Sequence, residues 1–160
     1  MKQGIHYSNF SFDSFSNEKL RPGHYGFGHY FYKEEQVEHF SKMYVCSLKS
    51  RIVSRLTKKS WNKMIGVLNA PIFLIHHDAT QSDEIRILLA TLSRYLLSEG
   101  EKRGVEDSQT INDFLKTLTR FIGNGINIDG IYIMWNTEAI CIKRVCSEVH
   151  ESSCEILEDA

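Results

Sequence analysis

Proline is nearly absent from this 160-residue chain, which holds only Pro22 and Pro71. Gly/Ser-rich stretches, low-complexity blocks and internal repeats are missing too. No linker therefore divides the chain, and a single domain is expected. No apolar run approaches the ~20 residues of a membrane helix. Met1–Phe10 has one lysine and no apolar h-region, so it does not read as a secretory signal. Neither charge sign dominates: 19 Lys+Arg against 20 Asp+Glu give a formal net charge of −1. That balance excludes a general basic sleeve for nucleic acid and leaves room for a local patch. The four cysteines, Cys46, Cys141, Cys146 and Cys154, form no CxxC. At this density no disulfide framework is expected, and a reduced cytoplasmic protein is.

What the chain does hold is unevenly placed. More than half of its Phe, Tyr and Trp residues lie between Tyr7 and Tyr44. The run from Arg21 to Tyr32, RPGHYGFGHYFY, interleaves Gly23, Gly26 and Gly28 with aromatic rings and His24 and His29. Glycines between aromatics suggest a backbone that turns tightly while presenting flat rings. The tail after Val149 is polar and acidic, and residues 151–160 are expected to be frayed or loosely docked.

The pattern predicts strands at Gly4–Tyr7, His29–Tyr32 and Met43–Leu48. A helix is expected over Lys33–Lys42, where Val37, Phe40 and Tyr44 fall at helical spacing. Ser50–Met64 reads as a helix whose outer face carries Arg51, Arg55, Lys58, Lys59 and Lys63. Pro71 leads a short buried strand or loop. Ile85, Leu88, Leu89, Leu92 and Leu96 mark one central helix, capped at Thr80 or Ser82 and ending near Gly100. Ile111, Phe114, Leu115, Leu118, Phe121 and Ile122 mark a second, with Gly123 as its stop. Gly130–Met134 and Ala139–Val145 read as strands, with Asn136-Thr137 as the turn between them. Strands at both ends around central helices give a mixed α+β class.

Most chemical signatures are missing. There is no P-loop, no Rossmann fingerprint, no GxSxG elbow and no Cys-nucleophile signature. His76-His77-Asp78 lacks third and fourth ligands at recognisable spacing, so no metal site is expected. Three separated pieces remain. Ile5-His6-Tyr7-Ser8 places a histidine near a strand end. Gly26-Phe27-Gly28-His29-Tyr30-Phe31 is a glycine-aromatic run. Asn136-Thr137-Glu138-Ala139-Ile140 puts one carboxylate ahead of an apolar strand, a costly position unless the acid is paired or functional.

In this order the three pieces resemble the ADP-ribosyltransferase superfamily of the diphtheria-toxin and poly(ADP-ribose) polymerase type, with its His-Tyr-Glu signature, and in particular its small phage and bacterial effector domains. His6-Tyr7-Ser8 resembles the first motif, Gly28-His29-Tyr30-Phe31 the second and Thr137-Glu138-Ala139-Ile140 the third. Ile128-Asp129-Gly130-Ile131 resembles the strand that precedes the third motif. Two positions depart from the pattern: Tyr7 stands where the family has Gly, and Ala139 where it has an aromatic residue. The resemblance implies a split-sheet core over residues 1–150 with a helical insertion at about 80–124.

The resemblance also implies NAD+ as co-substrate and no metal. Glu138, His6 and Tyr30 would be catalytic. Glu138 would hold the ribose 2′-OH beside the developing oxocarbenium, Tyr30 would stack on the nicotinamide, and His6 would bind the adenosine-side ribose. His6, Tyr7, Ser8, Gly28, Tyr30 and Phe40 would bind NAD+, with Phe40 giving the second ring from the helix after Tyr32 and Gly26 letting the backbone approach the dinucleotide. The expected activity is mono-ADP-ribosylation of a protein or nucleic-acid acceptor in a cytoplasm, that of a host included, with an antitoxin or host target as further partners and no membrane. The alternatives are an inactive domain of the same fold that binds a partner, or an NAD+ glycohydrolase.

Overall fold

The computed structural model describes residues 1–147 apart from 19 and 38, and the backbone of residues 154–156. Its strands are β1 (Lys2–Ser8), β2 (His29–Tyr32), β3 (Lys42–Leu48), β4 (Ile52–Val53), β5 (Gly125–Ile128), β6 (Ile131–Met134), β7 (Ile140–Cys146) and β8 (Cys154–Ile156). Three helices, α1 (Lys58–Leu68), α2 (Ser82–Lys102) and α3 (Asp107–Phe121), lie between β4 and β5. The mixed α+β class holds. One eight-stranded sheet runs in the order β4-β5-β6-β2-β1-β3-β7-β8. The β4–β5 pair is parallel and every other pair is antiparallel.

Alternation along the strands sorts the side chains onto two faces. Ile5 pairs with Tyr32 and Val45, and Tyr30 with Ile133, so these residues share one face. His6 pairs with Tyr44, and Phe31 with Tyr132, on the other. The helices cover the first face at the β5–β6–β2 end. There Trp61, Ile65, Leu89, Leu92, Phe114 and Leu118 pack with Ile126, Ile128 and Ile133 in the largest core cluster. Each such side chain contributes roughly 1.5–3 kcal/mol. The three helices thus supply half of the buried side chains of the main core. On the other face Phe31, Tyr44, Cys46, Leu48, Tyr132, Met134 and Ala139 form a second cluster, against which Phe12 and Phe15 pack.

Several local expectations are corrected. Residues 33–37 and 39–41 form no helix. Val37 is 88% exposed and Phe40 41%, so the expected stripe buries too little to hold one. The Gln36 N–H and C=O both bond the Tyr7 hydroxyl instead of helical partners. The helix expected from Ser50 starts at Lys58, because Ile52–Val53 pairs with β5 first. Thr57 then caps α1 by accepting from Ser60 N–H, and Asp78 accepts from Lys58 N–H. Pro71–Phe73 is one 3-10 turn, with Ile72 exposed and Phe73 buried. The N-cap of α2 is Gln81, and the helix runs past Gly100 to Lys102. The strand β5 was not foreseen. Asn136-Thr137 is no hairpin turn, since β6 pairs with β5 and β2 while β7 pairs with β3 and β8.

The tail is corrected in part: Cys154–Ile156 pairs with β7, and its remaining residues lie outside the described ones. Cys146 is disulfide-bonded, against the expectation of reduced cysteines. The ladder brings it opposite Cys154, a register invisible in a tail that reads as polar. Cys46 and Cys141 are free thiols, and burial, with Cys141 nearby, pushes the Cys46 thiol up to about 12. No helix among the described residues is long and apolar enough to cross a membrane.

Candidate functional site

His6 is the centre of the most built polar feature. Its Nδ1 lies 2.8 Å from the Tyr30 carbonyl oxygen. A carbonyl only accepts, so Nδ1 carries the proton and Nε2 is left as a lone-pair acceptor. Burial pulls the His6 pKa below its ordinary value, opposed by that hydrogen bond, so the ring is neutral near pH 7. His29, on the same face, is held down to about 4 by burial and by the charge of a protonated His6. Its Nε2 meets Asn17 Oδ1 at 2.8 Å, and Asn17 Nδ2 donates to Asn112 Oδ1 of α3 at 3.3 Å. Asn17 therefore ties the 9–20 segment to both the sheet and α3.

Two rings of that segment stand over the histidines. Phe15 lies edge-on to His6 at 5.0 Å and to His29 at 5.3 Å, and Phe12 stacks on Tyr44 at 4.2 Å. His6, Phe12, Phe15 and His29 line a pocket of about 300 Å³. It shares Phe15 and Ser16 with a more polar pocket of about 650 Å³, walled by Asn17, Gln109, Asn112 and Thr137. That pocket in turn shares Asn17, Asn112 and Thr137 with a third, where Glu138 stands. His6 and Glu138 thus border opposite ends of one run of adjoining pockets.

Glu138 sits in a 3-10 turn, Thr137–Ala139, ahead of β7. Asn136 Oδ1 accepts its backbone N–H, and Asn136 Nδ2 donates to Asn124 Oδ1. The buried Asn124 bonds the Ser50 carbonyl in turn. The turn is fixed by this amide chain, while the Glu138 residue itself is exposed. Ala139 fills the second core at 1% exposure, which leaves no room for an aromatic ring there.

Tyr30 departs from its expected place. Its strand alternation points the ring away from His6, onto the helix-covered face. There its hydroxyl accepts from Tyr25 N–H and donates to the Gly26 carbonyl, both at 2.8 Å, and burial raises its pKa. The ring pins its own Gly-rich loop. Phe40 is also elsewhere: its ring stacks at 6.4 Å on Tyr7, and Tyr7 packs on Tyr32 on Tyr30's side of the sheet. Tyr7 is buried and points away from the His6 pocket. Ser8 stands on His6's side of the strand, and its hydroxyl accepts from Phe10 N–H. A Cβ on Gly28 would meet Ile133 at 2.5 Å, and one on Gly26 would meet Leu89 O at 2.6 Å. Those close approaches are to the protein's own chain.

Sequence reading missed Phe12, Phe15, Asn17, His29 and Asn112. One signal was present: Phe12 and Phe15 lie in a polar stretch with no helix or strand pattern, and such rings must dock on something. His76 and His77 are exposed, and among the described residues no three His, Cys, Asp or Glu cluster as metal ligands. No protein-family model, curated protein or solved structure matches the chain.

Proposed function

We propose that the chain is an NAD+-dependent mono-ADP-ribosyltransferase that uses the groove from His6 to Glu138. What supports the reading is a neutral histidine with a free Nε2 acceptor at one end of that groove and the Glu138 carboxylate at the other, with Glu18 as a second carboxylate on the wall nearer His6. Cleaving the nicotinamide–ribose bond expels a neutral base and leaves positive charge on the sugar. A carboxylate carried beside the sugar by a fixed backbone turn stabilises that charge. In this arrangement Glu138 faces the ribose and His6 Nε2 accepts a ribose hydroxyl. The flat base is bordered by Phe12 and Phe15, in place of Tyr30 and Phe40. Phe15 has to shift for a base to reach His6, since its ring already packs there.

Two observations favour a second reading, a domain that binds NAD+ or a partner without turnover. Tyr30 faces the opposite side of the sheet, and Phe15 fills the space beside His6. One experiment separates the readings. Nicotinamide release and the thermal shift with millimolar NAD+ are measured for the wild type and Glu138→Gln. Transfer chemistry predicts a shift for both and at least a hundredfold slower release by the variant, in the range for losing one preorganised electrostatic group. Equal release by both removes Glu138 from the mechanism. A shift with no release leaves the binding reading, and no shift at all counts against the site.

A further inference from the structure

Charge is unevenly spread along a chain whose total nearly cancels. Residues 49–77 hold six of the 19 Lys and Arg and no Asp or Glu, so the other 13 are set against all 20 Asp and Glu. This stretch builds β4, α1 and the Pro71–Phe73 turn. Lys59, Lys63 and Val67 fall at i, i+4 and i+8 of α1, while Trp61, Met64 and Ile65 bury its other side. Two lysines at that spacing repel, and a merely solvated face commonly offsets such charges with acids one turn away. α2 does so through Asp83–Arg86 and Glu99–Lys102. On α1 no carboxylate comes within ion-pair distance of Lys58, Lys59 or Lys63 among the described residues, and Arg55–Asp78, at 3.9 Å, involves a cation ahead of the helix. Apolar surface adjoins these cations. Val67 is 59% exposed and Ile72 76%. The Trp61 indole N–H donates to the Phe73 carbonyl and the Asn62 amide bonds the Ile75 backbone, which lays this segment along α1. Val67 and Leu68 also border a pocket of about 270 Å³, walled by Leu96 of α2 and Phe114 of α3.

We propose that the exposed face of α1, together with this pocket, docks an acidic segment of a partner protein that carries a large apolar side chain. The proposal does not depend on the transferase reading. The carboxylates of the segment meet Lys59 and Lys63, whose repulsion they relieve. Its apolar side chain enters the pocket beside Val67, where removal of both from water drives association. The lysine stems add apolar contact while their ammonium groups reach the acids. A nucleic acid fits this face less well. A phosphate backbone would bring negative charge to Asp113 on the pocket wall, where the protein segment places an apolar group. Trp61 and Phe73, the only Phe, Tyr or Trp of residues 49–77, are buried, so the stretch offers no ring of that kind for a base to stack on. An anionic bilayer would meet the lysines but leave the concave pocket unfilled.

The test selects random-sequence peptides displayed on phage against the immobilised full chain, then measures binding of the synthesised consensus peptide by fluorescence anisotropy. Single-stranded polynucleotides and phosphatidylserine vesicles are titrated in parallel. The expected consensus places Asp or Glu around one Leu, Ile, Met or Phe, and its affinity falls as salt rises from about 0.05 to about 0.3 M. Lys59→Gln combined with Lys63→Gln, and separately Val67→Gln, should each weaken binding at least about tenfold. Arg94→Gln, which removes an exposed cation of α2, should leave it unchanged. All of these positions are exposed, and thermal unfolding of each variant beside the wild type checks that the fold is kept. A selection that yields no consensus, a consensus without acids, or an affinity indifferent to the α1 variants overturns the proposal. Tighter binding of polynucleotide or vesicles, weakened by the same variants, also overturns it and assigns the face to that ligand.

Discussion

His6 and His29 are two neutral imidazoles under one pair of phenylalanines, and their burial has a pH consequence. Both native pKa values lie below the unfolded value of 6.5, and that of His29 lies at about 4. The unfolded chain therefore binds more protons between these values, and stability falls as pH drops through that window. For His29 alone the loss amounts to about 3 kcal/mol, complete near pH 4. Thermal unfolding from pH 7.5 to 4 should show the melting temperature falling below about pH 6.5, and His29→Gln should flatten the fall. An unchanged slope in the variant would place the titration elsewhere. Gly26 gives a second residue-scale prediction. It has φ +81°, and a Cβ there would lie 2.5 Å from Ser93 Oγ and 2.6 Å from Leu89 O of α2. Gly26→Ala should cost more than about 2 kcal/mol in chemical denaturation, because backbone strain adds to a backbone clash. The glycine was visible in the sequence as a turn residue. That it accommodates α2, more than 60 positions away, was not.

Elements with a strong local period were legible. The helix around Ile85–Leu96 and the one around Ile111–Ile122 both form, and each buries the stripe its spacing marks. Elements whose period was weak or borrowed from neighbours were misread. The 33–42 segment has only a few apolar positions, and the Tyr7 hydroxyl takes the backbone groups of Gln36. At α1, charged residues before Thr57 hid a short parallel strand and moved the helix start. The cap there is testable. Thr57 Oγ1 accepts from Ser60 N–H at 3.3 Å, with Asp78 as a second acceptor at Lys58 N–H. Thr57→Ala should lower stability by about 1 kcal/mol with the fold unchanged, read from the urea midpoint. A change well beyond that would mean Thr57 does more than cap.

At the scale of the molecule α2 and α3 are built into the main core beside α1 and the sheet. Removing residues 80–124 would take away α2 and α3 and expose Trp61, Ile126 and Ile133 together. The excised chain should lack cooperative thermal unfolding and sharp side-chain resonances, and a folded excised chain would show that the sheet stands on its own. Sequence determined the class, the paired central helices and the alternation that sets Tyr30 opposite to His29 and Phe31, because these depend on neighbours within a few residues. It could not determine which of them would share a face with His6. That follows from strand register between positions 24 or more residues apart, and register is fixed by which side chains find cover when the whole sheet closes. The same long-range packing put Phe12 and Phe15 over His6 and led the groove along α3 to Glu138.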